Sequence, residues 1–269
     1  MKGLYLALLT LLAACGSTTP PLPPARLAVR DTAEQASRAS QTGNWHAAAV
    51  AWHEAALQYA TLDDWAAAGR AALGEAQALA LGQQPQDATA VLAGVDAGKR
   101  YPEAIRAEAV YQLALIDIQQ RDWRTAQSHL QSAAERLPQD TGLQAAIANA
   151  QGRVALQQGD PVGAAAWSAK ALKLAAITPA ERANAWRLGA SAALAGKDAK
   201  AADVPLKAAL NLDRQLARPA AIAADLRLMA QLAALRGDAD ADVWAERATA
   251  ACQALKADAC DAVSPTATQ

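Results

Sequence analysis

The chain has 269 residues, of which 53% are hydrophobic, and its 25 basic and 26 acidic side chains leave a net charge of −1. It contains no run of basic residues, so neither nucleic acid nor an anionic lipid surface is a predicted partner. Phenylalanine is absent and alanine dominates; because alanine favours helices and lets them approach closely, the composition predicts a nearly all-helical protein.

The first fifteen residues have the pattern of an export signal. Lys2 precedes a short apolar stretch, and small residues lead to Cys15, which is typical of a secretory signal and not of a membrane span. The segment Leu12–Gly16 resembles the lipobox of bacterial lipoproteins, in which the cysteine becomes the lipidated first residue. The resemblance implies a signal peptide over residues 1–14 and a lipid anchor on Cys15. Since no aspartate follows Cys15, it also implies the outer membrane, facing the periplasm.

A proline-rich segment follows the cysteine. Residues 15–26 include four prolines, which exclude helix and favour an extended polyproline conformation. At about 3.1 Å per residue such a spacer reaches on the order of 30 Å. We therefore expect a linker that holds the folded body away from the membrane.

Six short polar turns recur beyond residue 27. Their marker residues lie 39, 39, 38, 37 and 41 positions apart. They are Gly43, Gly82, Arg121, Gly159, Gly196 and Gly237. This regular spacing is typical of a helical solenoid. A glycine after a helix suits the left-handed conformation that ends it, and a following Asp or Asn caps the next helix.

Small residues occupy matching places around these turns, where two helices must touch. They are Ala36, Ala48, Ala114, Ala126, Gly152, Ala164, Gly189, Ala201 and Ala230. In this pattern residues 27–257 resemble the tetratricopeptide repeat (TPR) family, which implies an all-α, right-handed α-solenoid of about six antiparallel helix pairs, followed by a tail at 258–269. The family period of about 34 residues is shorter. Gly74 is out of register in the second unit, and Asp242 replaces a small residue in the last.

Catalytic and metal-binding patterns are missing from the sequence. His46 and His53 lie two helical turns apart, about 10 Å, which is too far to share a metal without a third element. His129 is isolated, and the chain has neither a nucleophile elbow nor a glycine-rich phosphate loop. We therefore predict no metal, no cofactor and no enzymatic activity.

The TPR resemblance also directs one face of each first helix into a concave groove. The residues placed there are Tyr111, Leu115, Ile118, Asn149, Arg153, Leu156, Trp186, Ala190, Arg227 and Gln231. Aromatic, amide and arginine side chains on one surface could bind an extended or helical peptide. Two alternatives stay open: a solvated face without a ligand, and a glycan or peptidoglycan site in which Trp186 and Tyr111 stack on sugars.

Other large and sulfur-containing residues have structural interpretations. Trp45, Trp123 and Trp167 are expected to wedge between helix pairs. Cys252 and Cys260 form an even pair in an oxidising compartment and can be bridged if the helix ends near Lys256 and the chain turns back; two unpaired thiols are the alternative.

Together these resemblances imply a non-catalytic, lipid-tethered adaptor. Lipoproteins of this architecture serve outer-membrane protein assembly, pilus or secretin biogenesis, and activation of peptidoglycan synthases. The expected partners are a protein bound in the groove and the membrane bound through Cys15.

Overall fold

The structure is a computed structural model that describes residues 23–255. These residues form twelve α-helices and no strand. The helices are α1 (Pro24–Gln41), α2 (Trp45–Thr61), α3 (Trp65–Leu81), α4 (Pro85–Ala97), α5 (Glu103–Gln119), α6 (Trp123–Arg136), α7 (Thr141–Gln157), α8 (Pro161–Leu172), α9 (Pro179–Ala195), α10 (Ala199–Gln215), α11 (Pro219–Arg236) and α12 (Ala241–Ala254).

The twelve helices form six consecutive pairs, α1–α2 to α11–α12, and each helix packs against the next along the chain. The predicted all-α solenoid of six helix pairs is confirmed, and each predicted turn joins the two helices of a pair. From α3 to α11, successive odd-numbered helices also pack on each other, more extensively than successive even-numbered ones do. The odd helices therefore form the inner layer of the stack and the even helices the outer layer.

One residue in each turn within a pair adopts a left-handed conformation. These residues are Gly43, Gln83, Arg121, Gly159, Lys197 and Gly237. The predicted left-handed role of Gly82 and Gly196 is wrong, because both have negative φ and end the preceding helix. A glycine suits position 82 for another reason: an added Cβ would lie 3.1 Å from the Ala78 carbonyl oxygen and 3.2 Å from Cβ of Trp45.

Alignment on the left-handed residues changes the register of the repeats. Their steps are 40, 38, 38, 38 and 40 residues. Five residues after each of the first five stands an alanine with 0% exposure. These alanines are Ala48, Ala88, Ala126, Ala164 and Ala202. Ala201, predicted for this place, is exposed, and the second unit, which contains Gly74, is in register. Before the turn the equivalent small residues are Ala76 and Ala190, and not Gly74 and Gly189.

Three of the four fully buried leucines among the described residues lie on outer helices. Leu92, Leu130 and Leu206 occupy the same place in α4, α6 and α10 and have 0% exposure. Complete burial of such a side chain stabilises the fold by about 1.5–3 kcal/mol. In α8 this place belongs to Ser168, which is 4% exposed and donates its hydroxyl to the Ala185 carbonyl at 2.7 Å. At this place the fourth pair therefore has a hydrogen bond to α9, where the second, third and fifth pairs have a core leucine.

Side-chain caps begin most of the helices. Seven N-cap residues accept a hydrogen bond from the backbone N–H three residues later, at 2.8–3.3 Å. They are Asn44, Asp64, Asp122, Asp140, Asp160, Thr178 and Asp198. The last pair departs from this pattern, since Asp240 begins α12 without a side-chain cap and Asp242 is exposed.

The predicted wedge tryptophans are half-buried. Trp123 packs against the core shared by α5, α6 and α7, and Trp167 packs against two clusters that join α7, α8 and α9. No helix among residues 23–255 is both long and apolar enough to cross a bilayer.

Candidate functional site

The candidate site is the face that the inner helices turn away from the outer layer. Ten residues before the left-handed residue, the six inner helices carry one equivalent residue each. In chain order these are Ala33, Leu73, Tyr111, Asn149, Arg187 and Arg227. We call this row the inner stripe. Its members are apolar in the first two pairs, where Leu73 lies in a core cluster with 7% exposure, whereas aromatic, amide and guanidinium groups occupy the last four.

Trp186 is not on the inner stripe, because Arg187 holds the equivalent position in α9. Trp186 stands one residue earlier, at the place that is buried in other inner helices as Val110, Ala148 and Leu226. Trp186 itself is half-buried. The residue at the stripe position of the fifth pair is therefore Arg187, and the prediction of Trp186 for this position is wrong.

The other predicted groove residues divide by exposure. Arg153 and Gln231 are exposed, and Tyr111, Leu115, Leu156 and Arg227 are half-buried. Ile118 and Ala190 lie in core clusters with 6% and 0% exposure, so they cannot line a groove. Asn149 is 5% exposed and is held by neighbouring groups.

Asn149 joins two inner helices. Its Nδ2 donates to the backbone carbonyl of Glu181 at 2.9 Å and to Oε2 of the same residue at 2.7 Å. Glu181 lies in the first turn of α9, where Asn184 Nδ2 also donates to Oε2 at 3.3 Å. Oδ1 of Asn149 is buried and has no donor among the described residues.

Glu108 and Tyr111 of α5 lie in the electrostatic field of the same glutamate. Burial raises the pKa of Tyr111 above its usual value, and the charge of Glu181 raises it further. Burial also raises the pKa of Glu108, with smaller increases from Asp140 and Glu181. The structure thus brings together side chains from α5, α7 and α9, and we call Glu108, Tyr111, Asn149 and Glu181 the acidic cluster.

A second polar group, which the sequence analysis missed, lies where α9, α10 and α11 meet. Arg187 donates to Oδ1 of Asp225 at 2.7 Å through Nε and to Asp213 through Nη2. Arg218 donates to Oδ1 of Asp213 at 2.9 Å, and both guanidiniums donate to Oδ1 of Asn184 at 3.0–3.1 Å. Asp213 and Asp225 have 0% exposure. We call these five residues the charge network.

Burial raises the pKa of Asp225 to about 7, although Arg187 lowers it. The proximity of Asp213 adds to the increase. A sequence signal for this site existed. At the place of Asp225, the inner helices α3, α5, α7 and α9 carry buried apolar residues, namely Ala71, Ala109, Ile147 and Ala185.

The histidines make local contacts. Nδ1 of His53 lies 3.1 Å from Oε1 of Glu75, and Nδ1 of His129 lies 2.7 Å from Oδ2 of Asp117. His46 is exposed. Across residues 23–255, no three His, Cys, Asp or Glu side chains are grouped so that they could hold a metal ion.

Two predictions concern residues outside the described part of the chain. Cys15, the predicted lipidation site, precedes residue 23. Cys252 lies on α12 and is disulfide-bonded, whereas Cys260 lies beyond residue 255. The pairing of Cys252 with Cys260 stays a prediction.

Comparison with known proteins gives no relative from which a function could be transferred. No protein-family model matches the chain, and no curated protein matches it.

Proposed function

We propose that the chain is a non-catalytic adaptor that binds a protein partner through the inner face of its helical stack. The observation that carries this proposal is the chemistry of the inner stripe. Half-buried Tyr111 and Arg227 lie on this row, and exposed Arg153 and Gln231 lie one helical turn further along α7 and α11, whereas the buried faces of the same helices carry mostly alanine and other apolar residues. Asn149 and Arg187, on the same row, are held by hydrogen bonds within the protein. Tyrosine and arginine are enriched at binding hot spots.

A protein partner fits this surface better than a glycan. A sugar site needs an accessible aromatic face, but Tyr111 is half-buried between charged groups and Trp186 stands off the inner stripe. Arg153 and Gln231 are exposed one helical turn along from stripe positions. A peptide that crosses the inner helices would meet these polar groups in succession.

Because the segment around Cys15 resembles a lipobox, we propose that the adaptor is anchored to the outer membrane and faces the periplasm. The proline-rich segment would then separate the helical stack from the lipid surface. A Cys15→Ser variant should leave the membrane fraction, and wild-type protein should sediment with outer membranes in a density gradient. Sedimentation with inner membranes would contradict the sorting that we propose.

Site-specific photo-crosslinking in native membranes tests the binding face. A photoreactive amino acid is introduced in place of Arg153 or Gln231 on the inner face, and in place of Arg124 or Gln127 as outer-face controls on α6. All four positions are exposed, so the substitutions should leave the fold intact. We expect a discrete protein adduct from the inner positions only. Adducts from the outer positions alone would contradict the proposal, and retention on purified peptidoglycan without a protein adduct would favour the glycan alternative.

A further inference from the structure

The acidic cluster contains more hydrogen-bond acceptors than donors. Glu108 and Glu181 come from different inner helices and form no ion pair within residues 23–255. Asn149 is 5% exposed, its Nδ2 is held by Glu181, and its Oδ1 has no donor among the described residues. An acceptor buried without a donor costs about 1–3 kcal/mol.

The charges around these groups are predominantly negative. Asp140, which caps α7, and Glu181 both raise the pKa of Glu108, which shows that their fields overlap there. Arg153 is the basic residue that acts on Tyr111, but its side chain is exposed and it makes no ion pair with the cluster. The site has two carboxylates, an amide oxygen and a phenol ring, and no basic side chain of the described residues forms an ion pair with either carboxylate.

We propose that the acidic cluster is a subsite for a lysine or arginine side chain of the protein partner, an inference that rests on the proposed adaptor function. An ammonium group has three donors and a guanidinium has five, and neither has an acceptor. Such a group would pair with Glu108 and Glu181 and supply a donor beside Asn149.

Other ligands suit the cluster less well. A carboxylate or phosphate would be repelled by Glu108 and Glu181, and it would add acceptors where donors are lacking. A neutral sugar would leave the repulsion between the carboxylates in place. The proposed partner is therefore a basic segment of a protein.

The test is peptide selection on the full chain. Random twelve-residue peptides displayed on phage are selected against the wild-type protein. As a negative comparison, the bound phage are challenged with excess Arg153→Ala/Gln231→Ala protein, which should not elute them. Lysine or arginine should be enriched at one position. In calorimetry, replacing that residue of a selected peptide with glutamine should weaken binding about tenfold or more, since a charge-assisted hydrogen-bonded pair is lost.

The protein variants separate the subsite from the groove as a whole. Glu108→Gln keeps an acceptor for Gln112 and should reduce affinity for the basic peptide while leaving affinity for its glutamine counterpart unchanged. Glu181→Gln tests the second carboxylate, with circular dichroism to confirm folding because Glu181 also holds Asn149. The matched control is Glu246→Gln, an exposed glutamate on α12, which should change nothing.

Two results would overturn the inference. Selected peptides that lack basic residues, or that bind Glu108→Gln as tightly as wild type while Arg153→Ala/Gln231→Ala loses them, would show that the groove binds peptides without this subsite; the adaptor function would stand. Binding of purified muropeptides without any peptide binding would overturn both the subsite and the adaptor function.

Discussion

The first three helix pairs and the last three are joined by different chemistry. Between α2 and α3 the contact depends on shape: an added Cβ on Gly74 would lie 2.9 Å from ring atoms of Trp52. Between α9, α10 and α11 it depends on the charge network, with two carboxylates at 0% exposure. The four buried polar side chains of the described residues, Asn149, Ser168, Asp213 and Asp225, all lie in the C-terminal half.

This difference bears on specificity as well as stability. Alanine-rich interfaces tolerate small displacements of one helix along its neighbour, because one small residue at the contact resembles another. A buried carboxylate that needs its arginine tolerates only one arrangement, although it adds little net stability compared with an apolar pair. We infer that the charge network fixes the order and angle of the last pairs. The acidic cluster joins the two halves, because Glu108 and Tyr111 lie on α5 whereas Asn149 and Glu181 lie on α7 and α9.

The largest expected effect is from Asp213→Ala. This change leaves Arg187 and Arg218 without one of their carboxylates in a buried site, so the free energy of unfolding should fall by about 3–5 kcal/mol. Urea denaturation followed by circular dichroism measures it. The control is Asp96→Ala in the N-terminal half, which removes a half-exposed ion pair with Arg136 and should cost about 0–1 kcal/mol. Equal losses would mean that the two halves do not differ in the way described.

The second prediction concerns pH. The pKa of Asp225 is about 7 in the folded protein and 3.8 in its reference state, so the folded state holds this proton more tightly. Its contribution to stability is fully present below pH 3.8 and is lost as the pH rises through about 7. Wild-type protein should therefore lose on the order of 2 kcal/mol between pH 5 and 8 relative to Asp225→Asn.

Denaturation midpoints of wild type and Asp225→Asn across this range provide the measurement. Burial also raises the pKa of Glu75 in the N-terminal half, which acts in the same direction. The difference between the two proteins isolates Asp225, because Glu75 is common to both. If the two curves run parallel between pH 5 and 8, the raised pKa is wrong.

The third prediction tests the shape-dependent half. Gly74→Ala places a methyl group against the Trp52 ring and should destabilise the fold by about 1–3 kcal/mol. Gly94→Ala is the matched control, because Gly94 lies in the interior of α4 with no atom within 4 Å of an added Cβ; it should stabilise by about 0.5–1 kcal/mol. Thermal unfolding of both variants decides whether close approach, and not helix propensity, makes Gly74 necessary.

Much of the fold could be predicted from the sequence, since a polar turn recurs in every pair and the alanine spacing recurs in the first five. The register could not, because glycine was taken as the left-handed residue. In the second and fifth pairs Gln83 and Lys197 hold that conformation, and the one-residue error placed Trp186 on the groove instead of Arg187. The charge network was missed for a different reason. Gly237 is left-handed as predicted, so Asp225 already aligned with Ala109 and Ile147, but its partners Arg187, Asp213 and Arg218 come from other parts of the chain, and the spacing of the turns does not show such pairs.

The smallest expected effect tests this register directly. A side chain in the left-handed conformation costs about 1–2 kcal/mol, and glycine removes that cost but loses some chain entropy. Gln83→Gly and Lys197→Gly should therefore each stabilise by about 0.5–1 kcal/mol, whereas Gly159→Ala should destabilise by about 1 kcal/mol. Gln83→Gly in the N-terminal half and Lys197→Gly in the C-terminal half should have equal effects, because the same three-residue turn occurs in both halves. If Gly196→Ala, which creates no close contact, proved as costly as Gly159→Ala and Lys197→Gly gave no gain, the alignment on left-handed residues would fail, and with it the assignment of Arg187 to the inner stripe.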